Sequence, residues 1–399
     1  MSHLHITTAG QLADFTARLA GVETIAFDTE FVSEDTYRSD LCLIQVAVGE
    51  ELAVIDPLTA GDVTPFWEAI ASGGHETIVH AGREELVFCL AAAGRRPARL
   101  FDIQIAAGLV GYEYPAGYGA LLAKVLGERP QKGETRTDWR RRPLSQQQIE
   151  YALDDVRYLR AIRDRLHAKL SAMGRLEWMQ TEMTAWQDDV ETARSAERWR
   201  RVSGTNGLSS RSLAIVRELW RWREAEAARR DSPVRRVLRD DLIVELAKRR
   251  SADPKQIRAV RGLDRGDLQR LLPKLAEHVA LALDLPESEL PRTERRETPN
   301  QINLLGQFLS AALSSICRSA QIAPSIVGTA SDVRELIAFR MGYGGDEPPA
   351  LAQGWRAEIV GQLIDDLLAG RKSIRIGDPT SEEPLVFDPT NVEGGRREA

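Results

Sequence analysis

The residues of this chain able to do chemistry fall into three short stretches. The first is Phe27-Asp28-Thr29-Glu30-Phe31, set among strand-forming residues. Side chains alternate faces along a strand, so Asp28 and Glu30 project to one side and Thr29 to the other. Two adjacent carboxylates repel each other unless a cation lies between them, and hard divalent ions such as Mg²⁺ or Mn²⁺ prefer such oxygen ligands. A solvated strand end carries the same pattern. The second stretch, Tyr151-Ala152-Leu153-Asp154-Asp155, is helical by pattern. Residues four apart share a face, so Tyr151 and Asp155 project together, while Asp154 lies about 100° around the axis. A phenol one turn from a carboxylate can hold a water beside a metal on that carboxylate; a core tyrosine on an amphipathic helix reads the same way. The third stretch is His80-Ala81-Gly82-Arg83-Glu84-Glu85, at a strand-to-helix junction. Acids there suit the helix macrodipole, and Glu85 could bring a further carboxylate to the same pocket.

Placing these groups falls to an α/β pattern over residues 1–170. Residues 22–28 read as a short strand ending in carboxylates, and 41–48 as a near-continuously apolar central strand. Residues 52–55 follow Gly49 as the return arm of a hairpin. Residues 77–80 are strand-like and precede a helix over 84–93, and 99–102 form another short strand. A helix runs from Ser145 to about Leu170, with Ser145 as N-cap and Gln148 as its capping-box partner. Residues 171–207 read as a charged helical connector ending in Ser203-Gly204-Thr205-Asn206-Gly207. Residues 208–285 are helical, with Leu213, Val216, Leu219 and Trp220 on one face. After a Pro- and charge-rich break over 286–299, residues 300–375 form a second helical module, and 376–399 read as a flexible tail.

Composition excludes several classes. The 399 residues carry 53 Lys+Arg against 59 Asp+Glu, a net charge of −6, with 43% hydrophobic and 28% charged residues. That balance excludes wholesale disorder, and the length implies two to four domains. No apolar run approaches the roughly 18–20 residues a bilayer span needs, and no secretory pattern opens the chain. Cys42, Cys89 and Cys317 stand far apart. That spacing excludes a disulfide scaffold or cysteine zinc site and fits a reducing cytoplasm.

Taken in order, these stretches resemble the DEDDy 3′→5′ exonucleases, most closely the ribonuclease D group. The likeness spans roughly residues 5–170 and includes Asp40-Leu41-Cys42-Leu43-Ile44-Gln45, Asp56-Pro57-Leu58, His80-Ala81-Gly82, Leu100-Phe101-Asp102, and Asp138-Trp139 with Arg142-Pro143-Leu144. It implies an α/β ribonuclease H-like exonuclease domain, a mixed sheet flanked by helices. It also implies phosphodiester hydrolysis with two divalent metal ions, Mg²⁺ or Mn²⁺, about 3.5–4 Å apart. Asp28, Glu30 and Asp155 match the family's metal-binding carboxylates, and Tyr151 the tyrosine that orients the attacking water. Gln45, His80 and Trp139 are candidates to contact the terminal nucleotide, with core packing as the alternative for each. Glu85 departs from the pattern, which carries Asp there; the longer side chain moves the carboxylate by one C–C bond, in a site sensitive to about 0.5 Å.

Residues 208–285 resemble the helicase-and-RNase-D C-terminal (HRDC) domain through Leu208-Ser209-Ser210-Arg211, Leu219-Trp220-Arg221-Trp222-Arg223-Glu224 and Arg261-Gly262-Leu263. The module at 300–375 stands where a second, HRDC-like all-α domain would. An acidic chain is a poor general nucleic-acid binder, but residues 191–250 hold 16 Lys+Arg against 9 Asp+Glu, a basic face for phosphates or a solvated ion-paired one. Trp220 is expected in the core and Trp222 partly exposed. The reading is a monomeric exoribonuclease acting on RNA 3′ ends, with tRNA precursors as the implied substrate. A DNA-directed exonuclease and an RNA-binding scaffold weakened at Glu85 are the alternatives. Both helical modules are expected to be dispensable for hydrolysis of short strands.

Overall fold

The computed structural model describes residues 3–129, 137–263, 266–293 and 299–390. The apolar runs form strands β1 (Leu4–Ile6), β2 (Thr24–Val32), β3 (Asp40–Val48), β4 (Glu51–Ile55), β5 (Glu76–Val79) and β6 (Leu100–Asp102). They join in one six-stranded mixed sheet, ordered β1-β4-β3-β2-β5-β6. β2, β3 and β4 form an antiparallel meander, while β1, β5 and β6 run parallel to their inner neighbours. The central strands are buried on both faces, which explains their near-continuous apolarity.

One face is covered by α1 (Ala9–Leu19) and, after the single turn α2 (Pro57–Ala60), by α3 (Thr64–Ser72). Phe15, Phe66 and Trp67 pack there on Ile25, Phe27 and Val46. α4 (Arg83–Ala92) follows β5. The other face is covered by α5 (Ile103–Leu109), α6 (Tyr118–Leu126), α7 (Gln146–Arg157) and α8 (Leu159–Ala172), packed on Ala26, Leu43, Val54 and Ile78. The single helix expected over 145–170 is interrupted at Tyr158, where ψ opens to −1°. α9 (Leu176–Ser195) lies on α4, with Val190 against Leu86 and Leu90.

Beyond α9 the chain is helical: α10 (Ser210–Arg230), α11 (Val234–Val237), α12 (Asp240–Arg249), α13 (Pro254–Arg258), α14 (Gly266–Gln269) and α15 (Leu272–Leu283) enclose a core of their own. The two tryptophans exchange their expected places. Trp222 is 7% exposed in that core, one helical turn from buried Leu219, and Trp220 is the partly buried one. The basic face expected here is largely ion-paired: Arg221 bonds Glu197 and Glu218, Arg229 and Arg230 share Glu226, and Arg223 meets Asp240.

The last module comprises α16 (Asn300–Ser319), α17 (Pro324–Val327), α18 (Ala330–Arg340), α19 (Gly354–Arg356), a π-helical turn (Ala357–Gly361) and α20 (Gln362–Leu368). It is not an appended unit. Ile302, Leu313, Leu336 and Trp355 belong to the same apolar cluster as α5 to α9. The amide of Ala323 donates to the Gly108 carbonyl at 2.8 Å. Arg175, 7% exposed, donates to the carbonyls of Leu109 at 2.7 Å and Gln321 at 2.8 Å. Trp178 stacks on Trp355 at 5.4 Å, and Arg356 forks onto Glu182 with both bonds at 2.8 Å. At Gly111, with φ of 87°, a Cβ would lie 3.0 Å from the Gln321 carbonyl oxygen, so glycine permits the close approach. The segment expected to fray from 376 instead supplies a strand: β7 (Lys372–Ile376) pairs antiparallel with β8 (Leu385–Pro389). Residues 391–399 of that expected tail, and 294–298 of the expected break, lie outside the described residues. Among the described residues, no helix is long and apolar enough to cross a membrane.

Candidate active site

Asp28 and Glu30 sit within β2 rather than at its end, because the strand continues to Val32. A register shift between Glu30 and Phe31 bends the strand there, as bulges beside active sites do. Asp28 lies opposite Gln45 on β3, whose amide nitrogen Nε2 donates to Asp28 Oδ2 at 3.1 Å. Gln45 is 0% exposed, and its Oε1 finds no partner among the described residues.

Glu85 arrives from α4 through a tight turn. Ala81 adopts a left-handed φ of 54°. The Asp102 carboxylate accepts from the amides of Ala81 (3.2 Å), Gly82 (2.9 Å) and Gln104 (2.8 Å). A Cβ on Gly82 would fall 2.4 Å from Val79 Cγ2, so the helix can start this close to β5 only on glycine. Glu85 is 5% exposed, and its Oε1 accepts from Thr29 Oγ1 at 2.5 Å. Tyr151 and Asp155 come from α7, which begins with the expected Ser145–Gln148 capping box.

These groups share one electrostatic field. Burial pushes the Asp28 carboxyl well above its ordinary range, helped by Glu85, Asp155 and Glu30. Glu30 is raised to about 8 by burial, then by Asp155 and Glu85. Asp155 is raised to about 7 by burial and Asp154, with the Tyr151 hydroxyl opposing. Burial likewise raises Glu85 to about 7, against the Thr29 hydroxyl bond. The Tyr151 phenol is pushed up by burial first and then by Asp155, Glu30 and Asp28. Mutual repulsion among buried acids is what a dication relieves, so the donor set fits hard divalent ions. Among the described residues, however, no three His, Cys, Asp or Glu side chains already surround one point closely enough to hold an ion. Gln45 and Thr29 instead hold Asp28 and Glu85 individually.

The three expected nucleotide contacts fare differently. Trp139 is 6% exposed, with its ring 6.2 Å from that of Tyr151, tilted by 33°. Like Gln45, it is covered and lies beside a site residue, as in the core-packing alternative named for each. His80 is half-buried; its Nε2 lies 2.9 Å from the Ala116 carbonyl oxygen, and Tyr118 presents its ring edge-on at 5.8 Å. The loop carrying Trp139 is pinned by Arg142. That side chain forks onto buried Asp56 at 2.5 and 2.6 Å and donates to the carbonyls of Cys42 (2.8 Å) and Trp139 (2.7 Å). Thr29, Asp56, Asp102 and Tyr118 escape a reading by spacing. Asp56 and Asp102 lie in stretches that carry the family resemblance, and both stand just before helix starts, where a carboxylate caps.

A mixed sheet with this acid cluster on its central strand, followed by a separate helical core, defines a 3′→5′ exonuclease joined to an HRDC domain. The 3′-5′ exonuclease family model matches residues 4–171 and the HRDC domain model residues 212–279. Ribonuclease D of Gluconacetobacter diazotrophicus is 33% identical over 370 residues, covering 92% of this chain and 93% of its own. That of Acidiphilium cryptum is 34% identical over 372 residues, with the same coverages of 92% and 93%. The crystal structure of Escherichia coli RNase D, an exoribonuclease involved in structured RNA processing, aligns with a TM-score of 0.81 at 28% identity, covering 93% of this chain and 99% of that one. The chain belongs to the ribonuclease D family; it is a 3′→5′ exoribonuclease of a class that works with divalent metals.

Proposed function

We propose that Asp28, Glu30, Glu85 and Asp155 hold two divalent ions, Mg²⁺ or Mn²⁺, and that the chain trims RNA 3′ ends to nucleoside 5′-monophosphates, with tRNA precursors among its substrates. The observation that carries the reading is the common field of four acids drawn from β2, α4 and α7. When bound, such ions supply Lewis-acid activation of water and stabilise the leaving 3′ oxygen.

The chain's own residues do the rest. The raised Tyr151 phenol keeps its proton at neutral pH, so Tyr151 positions the attacking water by hydrogen bonding and does not serve as a general base. Asp155, one turn away, fixes the direction of that hydroxyl. Gln45 and Trp139 hold Asp28 and Tyr151 in place. His80, half-buried at the start of the α4 turn, is the remaining candidate to touch the terminal nucleotide. The domain division is an exonuclease unit over 1–170, a helical connector over 171–207, an HRDC unit over 208–285 and a helical buttress over 300–375. The chain acts in the cytoplasm as a monomer.

The test is purified protein, Mg²⁺ or Mn²⁺, and a 3′-extended tRNA. Wild type should release nucleoside 5′-monophosphates and Asp28→Ala should not; equal background release from both ends the reading. One observation favours a weakened variant of the site: Glu85 is tied to Thr29. If that bond has cost an ion, Glu85→Asp should gain activity sharply, whereas a site built for glutamate should lose it.

A further inference from the structure

α4 and α9 run antiparallel. Arg96, just past the end of α4, meets Asp188 at 2.5 Å, while Val190, further along α9, packs on Leu86 and Leu90. The exit of α9 at Ser195 therefore comes beside the start of α4 at Arg83. Arg83 shares its helix face with Leu86 and Leu90, three and seven residues on, and so points toward α9 at the end of the helix from which Glu85 reaches the site. Just beyond α9 the chain makes a 3₁₀ turn, Trp199–Arg201, anchored by Trp199 at 7% exposure. That turn brings Arg198 and Arg201 to the same corner.

Three guanidiniums thus gather where two segments meet, and the gathering has an electrostatic signature. Arg198 is held below its ordinary pKa by partial burial and then by Arg201 and Arg83. Among the described residues none of the three is in an ion pair, although most arginines of α10 are. The nearest acids in sequence are committed elsewhere. Glu197 accepts both bonds of the Arg221 fork at 2.7 and 2.9 Å, and Glu84 accepts from Ser39 at 3.1 Å. Like charges collected on a rim without counter-charge attract a polyanion. Guanidinium forks match phosphate oxygens.

We propose that Arg83, Arg198 and Arg201 form a backbone-phosphate site that grips the RNA strand a few nucleotides upstream of the scissile bond. It receives the strand as it passes the N-terminal end of α4 into the acid cluster. The site reads charge and not base, so it serves any sequence. It also gives the segment joining the exonuclease unit to the HRDC unit a direct role in holding substrate. The proposal rests on the exoribonuclease reading, and its test is therefore made without turnover.

Full-length protein in EDTA is titrated with a long single-stranded RNA and with a dinucleotide by fluorescence anisotropy over a series of salt concentrations. The triple variant Arg83→Gln, Arg198→Gln, Arg201→Gln should bind the long RNA at least tenfold more weakly at low salt. The slope of log affinity against log salt should flatten by about 2, since each single-strand phosphate contact contributes roughly 0.7. Dinucleotide affinity should change little. The corresponding Arg→Lys triple should retain most of the slope, because an ammonium still serves as a point charge. A control triple, Arg18→Gln, Arg340→Gln, Arg375→Gln, removes the same charge from other surfaces and should leave the slope unaltered. Equal losses from the two Gln triples would reduce the effect to net charge and overturn the site, as would an unchanged slope in the first. Because binding is read directly, a chain that proved unable to cut RNA would still show whether these arginines hold the strand.

Discussion

At the residue scale, Thr29 is the least obvious member of the site. It projects to the opposite face of β2 from Asp28 and Glu30, as strand alternation requires, and from there it reaches Glu85. Its hydroxyl lowers the Glu85 pKa against a larger burial effect. Thr29→Val should therefore raise that pKa in the metal-free protein and cost about 1–3 kcal/mol by leaving a buried acceptor unpaired; a stability–pH curve in EDTA unmoved from wild type would refute this. The acids also set how stability varies with pH in metal-free protein. Glu30, Glu85 and Asp155 have folded pKa values of about 8, 7 and 7, above their ordinary ones of 4.5, 4.5 and 3.8. Their contribution is complete below the ordinary values and is lost as pH climbs through 7 and 8, because the folded state binds the extra protons. Thermal melts in EDTA should show Tm falling across that interval, and added Mn²⁺ should raise Tm more at its alkaline end. The acids at 28, 30, 85 and 155 were legible from spacing and resemblance; Thr29 was not, since its partner lies 56 residues away.

At the element scale, each segment bearing an acid has its own restraint. β2 is held centrally in the sheet, α4 by Asp102 and Gly82, and α7 by its capping box and by the Arg142 clamp on the preceding loop. Arg142→Met leaves Asp56, whose side chain is 2% exposed, without its ion-pair partner and with only the Leu58 amide donating to it, a loss of about 3–5 kcal/mol. Chemical denaturation should register that loss, and activity should drop further than stability alone explains, because Trp139 and Tyr151 lose their seat. Gly82→Ala should shift α4 rather than unfold it, since its Cβ would meet Val79; weakened metal binding with near-native circular dichroism is the expected result. Sequence periodicity revealed these elements well, down to the Ser145 cap. It missed the break at Tyr158, and it closed β2 at Asp28, because charged residues read as a strand end when the acid pocket that accommodates them is not in view.

At the scale of the whole molecule, the two helical regions are unlike. The unit from α10 to α15 has its own core and meets the exonuclease mainly through polar contacts. Tyr37 meets Glu224 and Asp231 at 3.1 Å each, and Arg236 meets Asp35 at 2.5 Å. α16 to α20 complete the core of the exonuclease itself. Helical periodicity could establish that 300–370 is helical, but not what it packs on, since an apolar stripe does not name its partner. Truncation before Asn300 should therefore yield aggregating, inactive protein, in place of the active short-strand nuclease expected from sequence; size-exclusion chromatography and a dinucleotide assay decide. Arg175 sharpens the point, because it ties α9 to carbonyls on both sides of the junction. Arg175→Met should unfold the sheet domain and the C-terminal helices together, in a single transition. Biosynthesis inherits the same dependence. A nascent chain cannot complete this shared cluster until α16 to α20 have cleared the ribosome, so the nuclease unit lacks part of its apolar packing while the last helices are still being made.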